Sequence, residues 1–452
     1  MAVAMPGASA SGPSLPSDEI VRRILVERID TQKQGVGIVV GLVDAQGRRI
    51  VAHGSFSTTD PRPVDGDTVF EIGSITKVFT SLLLADMARR GEVTLGDPVA
   101  KYLPAGVSVP QRDGRAIALV DLATHTSALP RLPENFAPAN PANPYADYTV
   151  AQLYQFLSHY KLPRDIGTQF EYSNLGYGLL GHALARRQGT DYKTLVRERI
   201  LAPLGMNDTG ITLSAALNAR LAPGHDGVLK AAPNWDLPAL AGAGALRSTA
   251  NDMMTFLEMA LGVKDTPLSP ALATALRTRR LNGTPGGEVA LGWAITPGHD
   301  EEIVWHNGGT GGYKAFIGFL PRSKVGVVVL SNASTSLGVD DIGMHLLDPQ
   351  IPLAPPPARH NVATVNPKIF DGYAGRYQLA PKFILTVTRE GDSLFAQATG
   401  QTRIQLFPET PTHFFCEEVD AQIAFETDAR GRATKMTLHQ NGREMPAPRL
   451  PD

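Results

Sequence analysis

The chain has 452 residues, of which 43% are hydrophobic, as expected of a globular protein with a sizeable core. A formal net charge of −2 gives no electrostatic basis for binding nucleic acid or an anionic membrane surface. No apolar run reaches the roughly 18 residues of a membrane-spanning helix, so no integral membrane segment is expected.

The first 17 residues are small and rich in Pro, Gly and Ser, and we expect them to be disordered. Ala8-Ser9-Ala10 resembles the end of an export signal, but the charged and long apolar regions that precede such an end are absent. A periplasmic or secreted location is therefore expected if an export signal was removed, and a cytoplasmic one otherwise. The single cysteine, Cys416, permits no intrachain disulfide and fits either compartment; its aromatic neighbours indicate a packed strand residue.

The elements from residue 18 to residue 347 predict strands at both ends of a helical middle. Residues 35–54 have the pattern of a β-hairpin, and a helix of ordinary length follows from Ser74 to about Arg89. Residues 120–275 mix short helical patterns with many Pro and Gly breakers, which favours a mainly helical region with long loops. Strands are predicted at 288–296, 302–306, 313–320 and 324–331, and a short helix at 341–347.

The economical arrangement of these elements is an α/β (α+β) fold for residues 18–347. One antiparallel sheet is built from both ends, flanked by helices, and the helical region is inserted into it. The Ser74 helix then lies at the seam, and clefts between subdomains are common places for small-molecule sites.

The C-terminal part of the chain differs in composition. Residues 348–367 are rich in proline and predict a stiff linker. From 368 to 452, short alternating stretches separated by turns predict a small all-β domain, either a barrel or a sandwich.

Ser74-Ile75-Thr76-Lys77 carries the first chemical signal. Side chains three apart near the start of a helix share one face, so the Lys77 amine can reach the Ser74 hydroxyl. A buried lysine has a lowered pKa and can take the proton that makes a hydroxyl nucleophilic. The alternative is a helix-capping serine followed by a solvated lysine.

Two later segments add groups of the right chemistry. Tyr172-Ser173-Asn174 places a possible proton relay and an amide two residues apart; the alternative is a packed aromatic and a helix cap. Residues 304–313 contain His306 and then four glycines beside a predicted strand. Such glycines suit a close approach of backbone or ligand, and their N–H groups could bind an oxyanion, although a simple turn is also possible.

Together, Ser74-x-x-Lys77, Tyr172-x-Asn174 and His306-x-Gly308 resemble, in this order, the motifs of the serine β-lactamase and penicillin-binding-protein superfamily. The closer resemblance is to the class C-like branch with its esterases and D-Ala-D-Ala carboxypeptidases, and it covers roughly residues 18–347. The tail from about 366 resembles the small β-domains that sometimes follow such hydrolases.

The resemblance implies a role for each motif residue. Ser74 would be acylated, Lys77 would act as general base, and Tyr172 would protonate the leaving group. The N–H groups of Ser74 and Gly309, beside Gly308, would form the oxyanion hole. Asn174 would hold a substrate amide, and His306 would orient a substrate or the proton path.

His306 departs from many β-lactamases of this branch, which have a lysine at that position. Histidine is mostly neutral at pH 7, which weakens the attraction for a β-lactam carboxylate. The expected activity is therefore hydrolysis of a β-lactam, a D-amino-acid amide or an ester; the alternative is a sensor that is acylated without turnover.

The remaining candidates predict structural roles. His125 is expected to be a structural hydrogen-bonding residue, and His182 and His225 are expected at the surface or in loops. No zinc-ligand spacing and no phosphate-binding glycine loop is present, so we expect no metal and no cofactor. The expected partner is a small-molecule substrate, and the oligomeric state stays open.

Overall fold

The computed structural model describes residues 15–356, 360–380, 383–399, 401, 403–416, 421–440 and 443–451. Most of the segment expected to be disordered, residues 1–14, lies outside the described residues. Leu15, near the end of that segment, is buried in a hydrophobic core, so ordered structure begins before residue 18.

The strands within residues 15–356 belong to one large sheet and three two-stranded ribbons. In chain order they are β1 Gly37–Asp44, β2 Gly47–Gly54, β3 Val69–Glu71, β4 Gln111–Arg112, β5 Arg115–Ala116, β6 Gly224–His225, β7 Ala231–Ala232, β8 Arg247–Thr249, β9 Arg280–Leu281, β10 Glu288–Val289, β11 Ala294–Pro297, β12 Glu302–Gly309, β13 Lys314–Leu320 and β14 Val325–Ser331.

The large sheet has eight strands in the order β2-β1-β14-β13-β12-β11-β10-β9, and every pair is antiparallel. The N-terminal hairpin joins the C-terminal strands through β1 and β14, with Val40 opposite Val329. The prediction of one antiparallel sheet built from both ends is thus confirmed.

The helices of this region cover both faces of the sheet. They are α1 Asp18–Val26, α2 Thr76–Arg89, α3 Leu119–Ala123, α4 Val150–His159, α5 Asn174–Arg187, α6 Tyr192–Val196, α7 Ala202–Leu204, α8 Ala215–Asn218, α9 Ala250–Ala260, α10 Ser269–Arg277 and α11 Asp340–Leu347.

Alternation along β1 explains the layers. Ile38, Val40 and Leu42 pack in the core shared with α1 and α11, whereas Val39 and Val43 pack in the larger core shared with α2 and α9. Successive strand side chains point to opposite faces, and both faces are covered, so the whole strand is buried. The helical region between β3 and β8 adds to the larger core, and α2 lies inside it, with residues 76–87 buried.

The C-terminal part is an eight-stranded antiparallel meander. Its strands are β15 Gly375–Ala380, β16 Phe383–Glu390, β17 Ser393–Ala398, β18 Arg403–Pro408, β19 His413–Phe415, β20 Ala421–Thr427, β21 Ala433–Gln440 and β22 Arg443–Pro448, preceded by α12 Phe370–Tyr373. A bridge between Tyr377 and Arg449 joins the first strand to the end of the last one, which closes the sheet into a near-barrel. Buried side chains, among them Tyr377, Phe414 and Phe425, fill its interior.

Cys416 is buried just after β19, which agrees with the packed position expected of it. Over the described residues, none of the helices is sufficiently long and apolar for a membrane crossing.

Candidate active site

Ser74 lies in a tight turn, Gly73–Ile75, that leads directly into α2. Gly73 has a positive φ of 48°, which suits a residue without a Cβ atom. The turn leaves Ser74 half-buried while its neighbours Ile75 and Thr76 are fully buried. The hydroxyl therefore faces the cleft at the N-terminal end of an otherwise enclosed helix.

Lys77 is completely buried one turn further along α2. Its Nζ atom lies 2.9 Å from the Ser74 Oγ atom and 2.6 Å from the carbonyl oxygen of Ala243. Burial, reinforced by the positive charge of Arg131, holds the pKa of Lys77 well below its usual range. The neutral amine is thus favoured, and its lone pair can accept the Ser74 proton.

Tyr172 contacts both Ser74 and Lys77. The Lys77 Nζ atom lies 4.8 Å from the centre of the Tyr172 ring. Burial raises the pKa of Tyr172 to about 12, although a hydrogen bond with Ser74 and the charge of Arg131 oppose the rise. The phenol is therefore protonated at neutral pH and is available as an acid rather than as a base.

The Tyr172 ring is contacted by aromatic and cationic neighbours. The His125 ring stacks on it with centres 4.4 Å apart, and the guanidinium carbon of Arg131 lies 5.1 Å from its centre. The Nδ1 atom of His125 accepts a hydrogen bond from the backbone N–H of Ser173, 2.9 Å away. His125 is therefore the structural hydrogen-bonding residue that the sequence predicts, and it also holds the tyrosine ring.

Asn174 is the first residue of α5, and the cap is Ser173, whose hydroxyl accepts from the Gly176 N–H. The Asn174 Nδ2 atom donates to the Tyr145 hydroxyl over 3.0 Å, whereas its Oδ1 atom is buried without a hydrogen-bond partner in the described structure. A buried amide oxygen in this state costs free energy until it meets a donor. The side chain is thus able to accept a hydrogen bond from an N–H group.

His306 is buried on β12, and its ring centre is 6.4 Å from that of Tyr172. Its Nδ1 atom lies 2.5 Å from the carbonyl oxygen of Asn307. Burial and the nearby Lys77 lower the pKa of His306 to about 3, although the bond to Asn307 opposes this. The imidazole is therefore neutral at pH 7 and supplies no cation to the site.

The end of β12 lies against the nucleophile turn. A Cβ atom on Gly308 would be 2.0 Å from the carbonyl oxygen of Ile72, and one on Gly73 would be 2.7 Å from the Gly309 nitrogen. Only glycine permits this approach of two backbones. The approach brings the Gly309 N–H beside the residue that precedes Ser74, as an oxyanion hole built from two backbone N–H groups requires.

Two cavities meet at Tyr172 and Asn307, which line both. The first, here called the nucleophile cavity, has a volume of about 540 Å³ and is also lined by Ser74, Gly309, Arg131 and Lys314. The second, the aromatic cavity, has about 190 Å³ and is lined by Phe170, Trp293, Trp305, His125 and His306 among others. The catalytic candidates thus separate a charged space from an apolar one.

The structure brings together the motif residues that the sequence singled out, and it adds residues that the sequence did not single out. Arg131 and Lys314 line the nucleophile cavity, but neither belongs to a motif. The sequence offers only an indirect signal for an additional cation in the site: His306 stands where many β-lactamases of the class C-like branch have a lysine. The expectation for His225 was wrong: the ring is buried, and its Nδ1 atom lies 2.9 Å from the Asn332 carbonyl oxygen.

Comparisons with known proteins agree with this geometry. Residues 22–347 match the family model described as Beta-lactamase, and residues 359–447 match a domain of unknown function, DUF3471. The chain is 32% identical over 335 residues to the D-alanyl-D-alanine-carboxypeptidase/endopeptidase AmpH of Escherichia coli K12. This alignment covers 71% of this chain and 85% of AmpH. It is 26% identical over 458 residues to Penicillin-binding protein 4* of Bacillus subtilis, covering 94% of this chain and 97% of that protein.

A solved structure supports the same assignment. The β-lactamase/D-alanine carboxypeptidase from Yersinia pestis superimposes with a TM-score of 0.61 at 30% identity, covering 70% of this chain and 94% of that one. The family match spans most of the chain and includes the Ser74, Tyr172 and His306 motifs. The protein belongs to the β-lactamase family and is a serine hydrolase of the β-lactamase type.

Proposed function

We propose that this enzyme hydrolyses D-amino-acid amides, and esters of similar size, through an acyl-enzyme on Ser74. The observation that carries the proposal is the 2.9 Å contact between the Ser74 Oγ atom and a completely buried Lys77. A lysine in this state is a general base, because burial has already removed much of the cost of its deprotonation.

Acylation begins when the Ser74 hydroxyl gives its proton to neutral Lys77 and its oxygen bonds to the substrate carbonyl carbon. The negative charge that forms on the carbonyl oxygen is placed between the N–H groups of Ser74 and Gly309. Preorganised donors at such a position stabilise the tetrahedral intermediate more than the ground state. Asn174 holds an N–H of the substrate through its Oδ1 atom, which has no partner in the described structure.

Collapse of the intermediate breaks the bond to the leaving group, which needs a proton. Tyr172 donates that proton from its hydroxyl, and protonated Lys77, whose Nζ atom lies beside the Tyr172 ring, returns the proton to the phenolate. Water then attacks the ester on Ser74 and releases the acid. In this step the groups that moved protons during acylation move them in the opposite direction. His306 lies beside Tyr172 as a neutral imidazole and helps to orient the tyrosine ring.

The choice of D-amino-acid amides rests on two observations. The relative AmpH is named a D-alanyl-D-alanine-carboxypeptidase/endopeptidase and is 32% identical. In addition, His306 stands where many β-lactamases of this branch carry a lysine, so the His306-x-Gly308 motif resembles the carboxypeptidase and esterase members of the family more than its β-lactamases. β-Lactams are therefore the less favoured substrate class, although other relatives are named β-lactamases. No observation favours the alternative of a sensor without turnover.

The test compares three substrates on the purified protein: a D-Ala-D-Ala peptide, a short-chain p-nitrophenyl ester and a chromogenic cephalosporin. We expect turnover of the peptide and the ester, slower turnover of the cephalosporin, and loss of all three in Ser74→Ala. Turnover that survives Ser74→Ala would refute the proposal. A stable adduct on Ser74 without turnover, seen by intact-mass spectrometry, would instead support the sensor.

We further propose a division into a hydrolase domain at 18–347, a linker at 348–367 and a β-domain at 368–452. The family matches end and begin near these limits, and the described residues between Leu347 and Pro367 form neither helix nor strand. We also propose a periplasmic or secreted location if an export signal is removed and a cytoplasmic one otherwise, and cell fractionation distinguishes the two.

A further inference from the structure

Arg131 is a cation of the nucleophile cavity whose guanidinium has no carboxylate partner among the described residues. It follows Pro130 in the loop after α3, and its side chain is exposed. Within the described residues its guanidinium forms neither an ion pair nor a hydrogen bond with a carboxylate. An arginine offers five N–H donors in a planar fork that matches a carboxylate, so this one is available to a ligand.

The position of Arg131 relates it to the leaving group. Its guanidinium lies 5.1 Å from the centre of the Tyr172 ring, on the residue proposed to protonate the leaving amine. In a peptide that ends in a free amino acid, the carboxylate is only two bonds away from that amine nitrogen. A cation beside Tyr172 is therefore within reach of the carboxylate when the amine meets the phenol.

His306 gives the other half of the argument. The family position that often carries a lysine is occupied by an imidazole whose pKa is lowered to about 3. The aromatic cavity around it is lined by Phe170, Trp293 and Trp305, which would not stabilise an anion. A substrate carboxylate thus finds its charge partner on the Arg131 side of Tyr172.

Lys314 is a second cation that lines the same cavity. It is the first residue of β13, opposite Gly309, and a Cβ atom on Gly309 would be 3.7 Å from its Nζ atom. Its charge lowers the pKa of Asp340, which burial otherwise raises. Lys314 therefore adds positive charge beside Gly309, at the oxyanion hole proposed for Ser74.

We propose that Arg131 determines specificity by binding the carboxylate of the leaving amino acid, so that the enzyme prefers peptides with a free C-terminal carboxylate. This inference rests on the proposed function, because it presupposes that Tyr172 faces the leaving group of a Ser74 acyl-enzyme reaction.

The experiment measures kcat/KM for an N-acyl-D-Ala-D-Ala peptide and for its C-terminal amide. The ratio of the two values is the carboxylate selectivity. We expect a ratio well above one for the wild type, a decrease of about tenfold or more in Arg131→Gln, and a partial recovery in Arg131→Lys. The ratio is the readout because Arg131 also influences the pKa of Lys77 and Tyr172, which would slow both substrates alike.

Two further variants make the test specific. Lys314→Gln removes the same charge from the same cavity, and we expect it to change the ratio by less than Arg131→Gln. Arg277→Gln, an exposed residue at the end of α10 outside this cavity, should leave the ratio at its wild-type value.

An unchanged ratio in a folded Arg131→Gln variant would overturn the inference. An equal or larger decrease in Lys314→Gln would overturn it as well, since general attraction by charge would then explain the preference. Hydrolysis of the p-nitrophenyl ester distinguishes failure of the proposed function from failure of the Arg131 assignment. If this hydrolysis does not depend on Ser74, the proposed function fails. If this hydrolysis depends on Ser74 but neither peptide is cleaved, the proposed preference for D-amino-acid amides fails together with the assignment of Arg131. If the peptides are cleaved and the ratio is unchanged in Arg131→Gln, only the assignment of Arg131 fails.

Discussion

Burial of Lys77 determines the protonation state on which Ser74 depends. Away from water, the ammonium form would find hydrogen-bond partners among the described residues only in the Ala243 carbonyl and the Ser74 hydroxyl. Arg131 adds repulsion, and the described contacts of Lys77 include no carboxylate that would offset it. The fold itself therefore favours the neutral amine, and the same enclosure keeps Tyr172 as a phenol.

Replacement of Lys77 by arginine tests this arrangement. Because a guanidinium stays charged at every accessible pH, Lys77→Arg cannot accept the Ser74 proton, and we expect kcat/KM for the p-nitrophenyl ester to fall by about 10²–10⁴-fold. In the wild type, kcat/KM should decrease as the pH falls and Lys77 becomes protonated. That acid limb should be absent from the residual activity of the variant. A wild-type profile without an acid limb, or a variant that retains it, would show that another group is the base.

At the scale of elements, the site depends on how closely the end of β12 approaches the turn before α2. The strand is held in register by β13, which pairs Gly308 with Ala315 and Gly309 with Lys314. The turn is held by α2, whose residues 76–87 are buried on all sides. The distance between the Ser74 and Gly309 backbones is therefore fixed by two rigid elements rather than by a loop, as a preorganised oxyanion hole requires.

Gly308→Ala should disturb this contact directly. The new Cβ atom would lie 2.0 Å from the Ile72 carbonyl oxygen, so strand and turn must separate. We expect a loss of about 1–3 kcal/mol in the free energy of unfolding and a decrease of roughly 10²-fold in kcat, because small displacements of reacting groups are costly. Thermal melting and ester hydrolysis measure the two effects. The matched control is Gly106→Ala, where an added Cβ atom meets nothing within 4 Å. Equal effects of the two substitutions would contradict the assignment.

At the scale of the whole molecule, the antiparallel sheet and the all-β tail could be predicted from the sequence, because each depends on local alternation that many residues repeat. The order of Ser74, Tyr172 and His306 along the chain was also sufficient to predict the motif cluster. Arg131 could not be predicted, because its significance is that it lies beside Tyr172 without a carboxylate partner among the described residues, and that is a property of the folded cavity. The prediction for His225 was wrong because the segment around it has a loop-like composition. In the fold, its buried ring contacts the Asn332 carbonyl oxygen.

The two parts of the molecule have separate hydrophobic cores. The cores that include α2, the sheet and α11 draw on residues 15–347, whereas the core of the near-barrel draws on residues 370–447. The residues that form the candidate site all belong to the first part. Hydrolysis should therefore not require the second part, although substrate range, stability or assembly could depend on it.

A chain that ends after residue 356 tests this independence. Since domains with their own cores generally fold as units, we expect the shortened protein to melt cooperatively and to hydrolyse the p-nitrophenyl ester with kcat/KM within about threefold of the full chain. Ser74→Ala in the shortened chain is the control for contaminating esterases. The full chain should show a second melting transition that the shortened chain lacks. A shortened protein that melts cooperatively but has lost hydrolysis would show that the near-barrel contributes to the site, and the division at the proline-rich linker would then not be a functional boundary.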